Sequence, residues 1–131
     1  MKLEFTKIDY VMTVVQDMSR SLEFYRDILG IPLKFHSDGW AELGTGTTTL
    51  ALHGAGKPKA AENVPGPHRD LAGTCSIGFR VDDVHAVFDH LKSKGVPFTL
   101  PPTPRRNEGI MLAIATDPDG LEISFTQSLN N

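Results

Sequence analysis

The 131-residue chain has one cysteine and one tryptophan, and aromatic residues make up only 8% of it. A lone cysteine cannot form an internal disulfide, so packing has to hold the fold, and a reducing compartment fits. Positive charge is scarce as well. Lys plus Arg number 13 against 16 Asp plus Glu, for a net charge of −3. That balance lacks the basic face needed to neutralise nucleic-acid phosphates and the polybasic patch that holds acidic lipid, so no nucleic-acid or membrane partner is expected. No apolar run is long enough to span a bilayer, and Met1-Lys2-Leu3-Glu4-Phe5-Thr6-Lys7 has no apolar stretch behind its lysines. A cytoplasmic location is therefore expected. The remaining composition, 40% hydrophobic and 22% charged, is that of a single soluble globular domain across residues 1–131.

Within that length the chain repeats itself. Val15-Gln16-Asp17-Met18 returns as Val81-Asp82-Asp83-Val84 at an offset of 66, and Gly30-Ile31-Pro32 returns as Gly95-Val96-Pro97 at 65. An offset near half the length points to a duplicated unit. In the first half, 8–16 reads as a strand. Asp17 can cap the next helix, on which Met18, Leu22, Tyr25 and Leu29 share one face before Gly30 and Pro32 end it. Strands are expected at 33–36, 39–43 and 47–53, with turns at Ser37-Asp38-Gly39 and Gly44-Thr45-Gly46. The second half repeats this order. A strand at 74–81 precedes a helix capped by Asp82 or Asp83, with Val84, Val87, Phe88 and Leu91 on its apolar face and Gly95 at its end. Strands follow near 98–100, 110–115 and 121–126, and Asp117-Pro118-Asp119-Gly120 reads as a hairpin turn, since the alternating ligands of a calcium loop are missing. The fold class is thus α+β, two βαβββ modules over 1–53 and 74–131. A Gly- and Pro-rich linker at 54–73 joins them and is expected to be mobile around 60–67.

Side chains alternate across a strand, which separates the faces by parity. Cys75, Ile77, Phe79 and Val81 form an apolar set that should pack under the helix, while Ser76, Gly78 and Arg80 form a small polar set. Leu121, Ile123 and Phe125 likewise oppose Glu122, Ser124 and Thr126. Leu50 and Leu52 oppose Thr47, Thr49, Ala51 and His53, and Tyr10, Met12 and Val14 oppose Val11, Thr13 and Val15. Helices on one face and small or polar side chains on the other build a curved sheet around a concave groove, a natural small-molecule site.

Two such modules resemble the vicinal oxygen chelate superfamily, which includes glyoxalase I, extradiol dioxygenases, fosfomycin-resistance enzymes and bleomycin-binding resistance proteins. The resemblance rests on Gln16-Asp17-Met18-Ser19-Arg20-Ser21-Leu22-Glu23-Phe24-Tyr25-Arg26-Asp27-Ile28-Leu29-Gly30, on Val81-Asp82-Asp83-Val84 and on Asp117-Pro118-Asp119-Gly120-Leu121-Glu122-Ile123. These segments mark a scaffold, and a scaffold does not settle function. The superfamily's metal enzymes carry His, Glu or Gln on inward faces of the modules. By motif spacing the resemblance puts those positions at Tyr10, Ala51, Ser76 and Ser124. A phenol, a methyl group and two hydroxyls are poor or impossible ligands for a divalent cation.

The expectation is therefore a small-molecule-binding protein without a cofactor, whose ligand is lined by Tyr10, Met12, Trp40, Ala51, His53, Ser76, Glu122 and Ser124. The alternative is a lyase, isomerase or dioxygenase with a divalent metal displaced to His53 and Glu122, each two residues, or about 6.6 Å, from a lost position. Trp40, Phe35 and Tyr10 could face an aromatic ligand or pack in the core. Cys75 is expected to be buried and structural. His36, His68, His85 and His90 read as surface residues, and Arg105-Arg106 as part of a solvated loop with Pro101-Pro102-Thr103-Pro104. The family resemblance also implies a homodimer.

Overall fold

A computed structural model describes residues 3, 7–55 and 75–129. The chain divides into two compact units, Met1–Asn63 and Val64–Asn131. The first holds strand β1 (Tyr10–Val15), helix α1 (Met18–Leu22), a π-helical segment (Glu23–Ile28), and strands β2 (Leu33–Ser37), β3 (Trp40–Thr45) and β4 (Thr48–Gly54). The second holds β5 (Ile77–Arg80), α2 (Val84–Ser93), β6 (Phe98–Arg105), a 3-10 turn (Arg106–Glu108), β7 (Ile110–Thr116) and β8 (Glu122–Ser128). Each unit is one four-stranded mixed sheet, ordered β1-β4-β3-β2 in the first and β5-β8-β7-β6 in the second. In both, the opening strand runs parallel to the last one and the other pairs are antiparallel. The duplicated α+β architecture expected from the internal repeat is therefore present, strand for strand.

Both helices begin where an aspartate can accept a free backbone N–H. Asp17 Oδ1 accepts from Arg20 N and Asp83 Oδ1 from Ala86 N, each at 3.1 Å. Asp83 rather than Asp82 caps α2, and Gln127 Oε1 of β8 accepts from Val84 N at 2.8 Å, so the sheet helps start its own helix. The first helix departs from the regular spacing. Leu29 N–H donates to the Phe24 carbonyl at 2.9 Å, five residues back, and the wider turn holds one more residue than an α turn. The buried stripe rotates accordingly. Leu22 and Tyr25 are buried as expected, but Ser21 and Phe24 join them, while Met18 and Leu29 are only half-buried. Beneath lie Val15, Ala41, Leu43, Leu50 and Leu52 of the sheet, all buried. In the second unit Val84, Leu91, Ala113, Ala115, Ile123 and Phe125 play the same part.

Several boundaries move. The first strand is Tyr10–Val15 rather than 8–16. β3 runs on through Gly44 and Thr45, which were expected in a turn; the turn is Gly46 and Thr47, and Gly46 takes φ 81°. That left-handed backbone is the one a tight hairpin demands and that glycine adopts without strain. β5 is only Ile77–Arg80, so Cys75 lies ahead of the strand and is exposed rather than buried. The Pro-rich stretch is not a loop. Pro101, Pro102 and Pro104 lie within β6, at the end of its sheet, where a strand has a side that needs no N–H donors. The register slips there between Leu100 and Thr103, which absorbs two of the prolines. Linker residues 56–73, including the segment expected to be mobile and His68, lie outside the described residues. No helix among the described residues is long and apolar enough to cross a membrane.

The Asp117 turn is a hairpin, as expected. Asp117 Oδ1 accepts from Asp119 N at 2.9 Å and from Leu121 N at 2.8 Å, and the carboxylate is buried. Asp117→Ala strands both donors and should cost about 2 kcal/mol in chemical denaturation. Asp117→Asn, which keeps an acceptor oxygen, should cost less than half as much. Equal losses from the two variants would mean that the turn does not depend on that oxygen.

Candidate functional site

The register of the first sheet assigns every side chain to one of two faces. β1 pairs Tyr10 with Thr49, Met12 with Ala51 and Val14 with His53. β3 pairs Trp40 with His53, Glu42 with Ala51 and Gly44 with Thr49, and β2 adds Ser37 opposite Trp40 and Phe35 opposite Glu42. Paired residues project to the same side. Tyr10, Met12, Trp40, Ala51 and His53 therefore share the open face, opposite the buried leucines under α1. This face is unusually apolar for an exposed one: Tyr10 is 51% exposed, Met12 44%, Val14 54% and Phe35 53%. Exposed apolar side chains gathered on one face of a sheet mark a surface that meets something other than water.

Ala51 is the centre of the arrangement. It is fully buried, with Met12 on one side and Glu42 on the other. Tyr10 and Trp40 stand diagonally across it, each two residues from it in register, yet their rings meet edge to face at 5.9 Å. Trp40 meets His53 in the same way, also at 5.9 Å. A bulkier residue at 51 would stand where the rings converge. The indole Nε1 donates to Glu42 Oε2 at 2.8 Å, which fixes the ring and engages one oxygen of that carboxylate. Trp40 is half-buried and belongs to the open face, not the core.

Two polar groups on this face escaped the sequence reading. Glu42 shares the parity of Trp40 on one strand and could have been found that way. Lys34 could not, because it owes its aim to a bulge. The β2–β3 register shifts between Leu33 and Phe35, and Lys34 then lies over Gly44 with its ammonium 2.7 Å from Thr49 Oγ1.

The second sheet has its own open face, with Gly78 opposite Ser124 and Arg80 opposite Thr126; Glu122 pairs with Thr116 and Ser124 with Ile114. Glu122 and Ser124 therefore share a face, as parity implied. Ser76 lies just ahead of β5 and is exposed. His53 and Glu122, the pair considered for a displaced metal, belong to different units. His36, His85 and His90 are exposed, as expected. Arg105 is in β6 and Arg106 in the 3-10 turn, both exposed, with Arg105 paired to Glu108 at 2.9 Å. On the first helix, the Arg26 guanidinium donates to Asp27 at 2.8 and 3.2 Å and holds that exposed carboxyl below the usual carboxylate range.

A divalent cation does not fit the four family positions. Ala51 turns a methyl group to the open face and has no donor, and Tyr10, Ser76 and Ser124 provide only neutral hydroxyls. Among the described residues, no three His, Cys, Asp or Glu side chains come together to hold a metal ion.

Comparisons with known proteins agree with this architecture. The family model described as "Glyoxalase/Bleomycin resistance protein/Dioxygenase superfamily" matches residues 7–125. The chain is similar to the "Probable lactoylglutathione lyase" of Synechocystis sp. (strain ATCC 27184 / PCC 6803 / Kazusa), 31% identical over 126 residues that cover 91% of this chain and 93% of that one. It is similar to the "Bleomycin resistance protein" of Geobacillus stearothermophilus as well, 30% identical over 125 residues, covering 89% and 93% respectively. Among solved structures, a glyoxalase/bleomycin resistance protein/dioxygenase from Nocardioides superposes with a TM-score of 0.75 at 21% identity, covering 99% of this chain and 88% of that one.

Proposed function

The chain belongs to the glyoxalase/bleomycin resistance protein/dioxygenase superfamily, and from that premise we propose that it is a metal-independent small-molecule-binding protein acting as a cytoplasmic homodimer. The observation that carries this reading is the first sheet's open face, where Tyr10, Trp40 and His53 stand edge to face around the buried methyl of Ala51. Rings held in fixed orientation, one of them pinned by Glu42, offer flat apolar surface at little ordering cost. The position where the family's metal enzymes need a donor holds none, so binding here depends on shape and apolar contact. A relative named as a bleomycin resistance protein supports this class of function. Glu122 and Ser124 supply a more polar open face on the second sheet.

Relatives named as lactoylglutathione lyases favour the enzymatic alternative. One experiment separates the two. Trp40 is the only tryptophan, so its emission reports directly on the first open face. Titration with a panel of aromatic compounds should change that emission equally before and after exhaustive chelation. Elemental analysis of protein purified without chelators should find no stoichiometric metal. Stoichiometric metal lost in His53→Ala Glu122→Ala, or binding abolished by the chelator, would establish the enzyme instead.

A further inference from the structure

We propose that the open face of the first sheet selects an aromatic ligand carrying a carboxylate or a similarly compact anion, with Lys34 as the residue that reads the charge. This rests on the ligand-binding reading above and adds the chemical class of the ligand.

The argument begins with the backbone. An antiparallel edge strand in regular register would turn consecutive residues to opposite faces. Between Leu33 and Phe35 the β2–β3 register slips, and a bulge of this kind re-aims one side chain. Lys34 is that side chain. Its stem crosses Gly44, where an added Cβ would come within 3.3 Å of Lys34 Cδ and 3.5 Å of Cγ. Glycine at 44 thus leaves the path along which the lysine crosses β3. The stem ends with Nζ 2.7 Å from Thr49 Oγ1. Thr49 is in turn the register partner of Tyr10. The ammonium is therefore placed about one strand spacing, roughly 4.8 Å, from the strand that carries Tyr10.

The electrostatics then favour one sign. An ammonium has three donors, and Thr49 takes one. Among the described residues no carboxylate forms an ion pair with Lys34. Glu42 projects to this same face and keeps its charge, but the Trp40 indole N–H holds its carboxylate toward residue 40, away from Gly44, where the Lys34 stem crosses. A ligand ring against Tyr10, Met12 and Trp40 brings its substituent near a cation that still has donors to offer. A carboxylate completes the ammonium's shell, a neutral group only partly does so, and an ammonium substituent is repelled.

The test is calorimetric titration of the full chain with three matched probes: 2-naphthoate, 2-naphthalenemethanol and 2-naphthylmethylammonium. Amide chemical shifts at Tyr10, Met12 and Trp40 locate the binding. The naphthoate is expected to bind about tenfold more tightly than the alcohol, with the ammonium probe weakest. Lys34 is exposed, so Lys34→Met leaves the fold intact and abolishes the preference, whereas Lys34→Arg retains it. Gly44→Val, which blocks the path of the stem, reduces the preference without touching the charge. Equal binding of naphthoate and alcohol, a preference that survives Lys34→Met, or tightest binding of the ammonium probe overturns the charge assignment and leaves the aromatic site standing. Failure of all three probes to shift Tyr10 and Trp40 overturns the ligand-binding reading together with this one.

Discussion

Tyr25→Ala should destabilise the protein by about 3–5 kcal/mol, the largest loss expected from any single truncation discussed for this chain. Tyr25 is completely buried and is among the largest fully buried side chains. It sits in the π-helical segment with its ring edge to face against Phe24 at 4.9 Å. Truncation removes the transfer free energy of a whole ring and leaves a hole that a helix pinned by a five-back hydrogen bond cannot easily close. The melting temperature should fall by roughly 10–20 °C for a domain of this size. Tyr25→Phe keeps the ring and loses only the hydroxyl, so about 1 kcal/mol is expected. Urea titrations of the two variants check the ratio. A Tyr25→Ala loss below about 1 kcal/mol would mean that the first unit's core does not rest on this ring.

On the binding side, the largest effect should come from Trp40→Ala, which we expect to weaken 2-naphthoate binding about 30-fold or more, some 2 kcal/mol. Trp40 joins both ring contacts of the open face, to Tyr10 and to His53. Its loss also releases the Glu42 carboxylate. The carboxylate is charged in both forms, but without the indole to hold it the side chain is free to swing toward an anionic probe, so Trp40→Ala should hurt naphthoate more than the neutral alcohol. Trp40→Phe restores a ring but not the N–H, and should recover most of the alcohol's affinity and less of the naphthoate's. Calorimetry serves here, since the substitution removes the fluorophore. Because Trp40 is only half-buried, Trp40→Ala should leave the melting temperature much closer to the parent than Tyr25→Ala does. Unchanged naphthoate affinity in Trp40→Ala would rule out this face as the binding site.

Much of the architecture is legible in the amino-acid order because it depends on local rules that act twice. An aspartate ahead of an apolar helical stripe appears at Asp17 and at Asp83, and both cap their helices. Strand parity placed Tyr10, Met12, Ala51 and His53 on one face because the strands of the first sheet hold register from β1 through β4 to β3. The failures lie where register breaks. The π turn cannot be read from apolar spacing, so Phe24 and Ser21 were not expected in the core. Lys34 reaches the open face only through a bulge, and nothing in Leu33-Lys34-Phe35 announces one. Cys75 was assigned by parity to a strand that in fact begins two residues later. Three prolines argued for a loop, yet an edge strand with slipped register accommodates them.

Those prolines also govern how the chain behaves among its own copies. A sheet's outermost strand is a template on which a foreign strand can add, because its spare amides and carbonyls wait for partners. With Pro101, Pro102 and Pro104 in β6, part of the donor row that such a newcomer would need does not exist. The second unit thus has one rim that resists stacking. In the first unit β1 and β2 contain no proline. Under crowding or partial melting, fibrillar growth should therefore start from the proline-free rims β1, β2 or β5 rather than from β6, and a proline placed in β2 should close one of them.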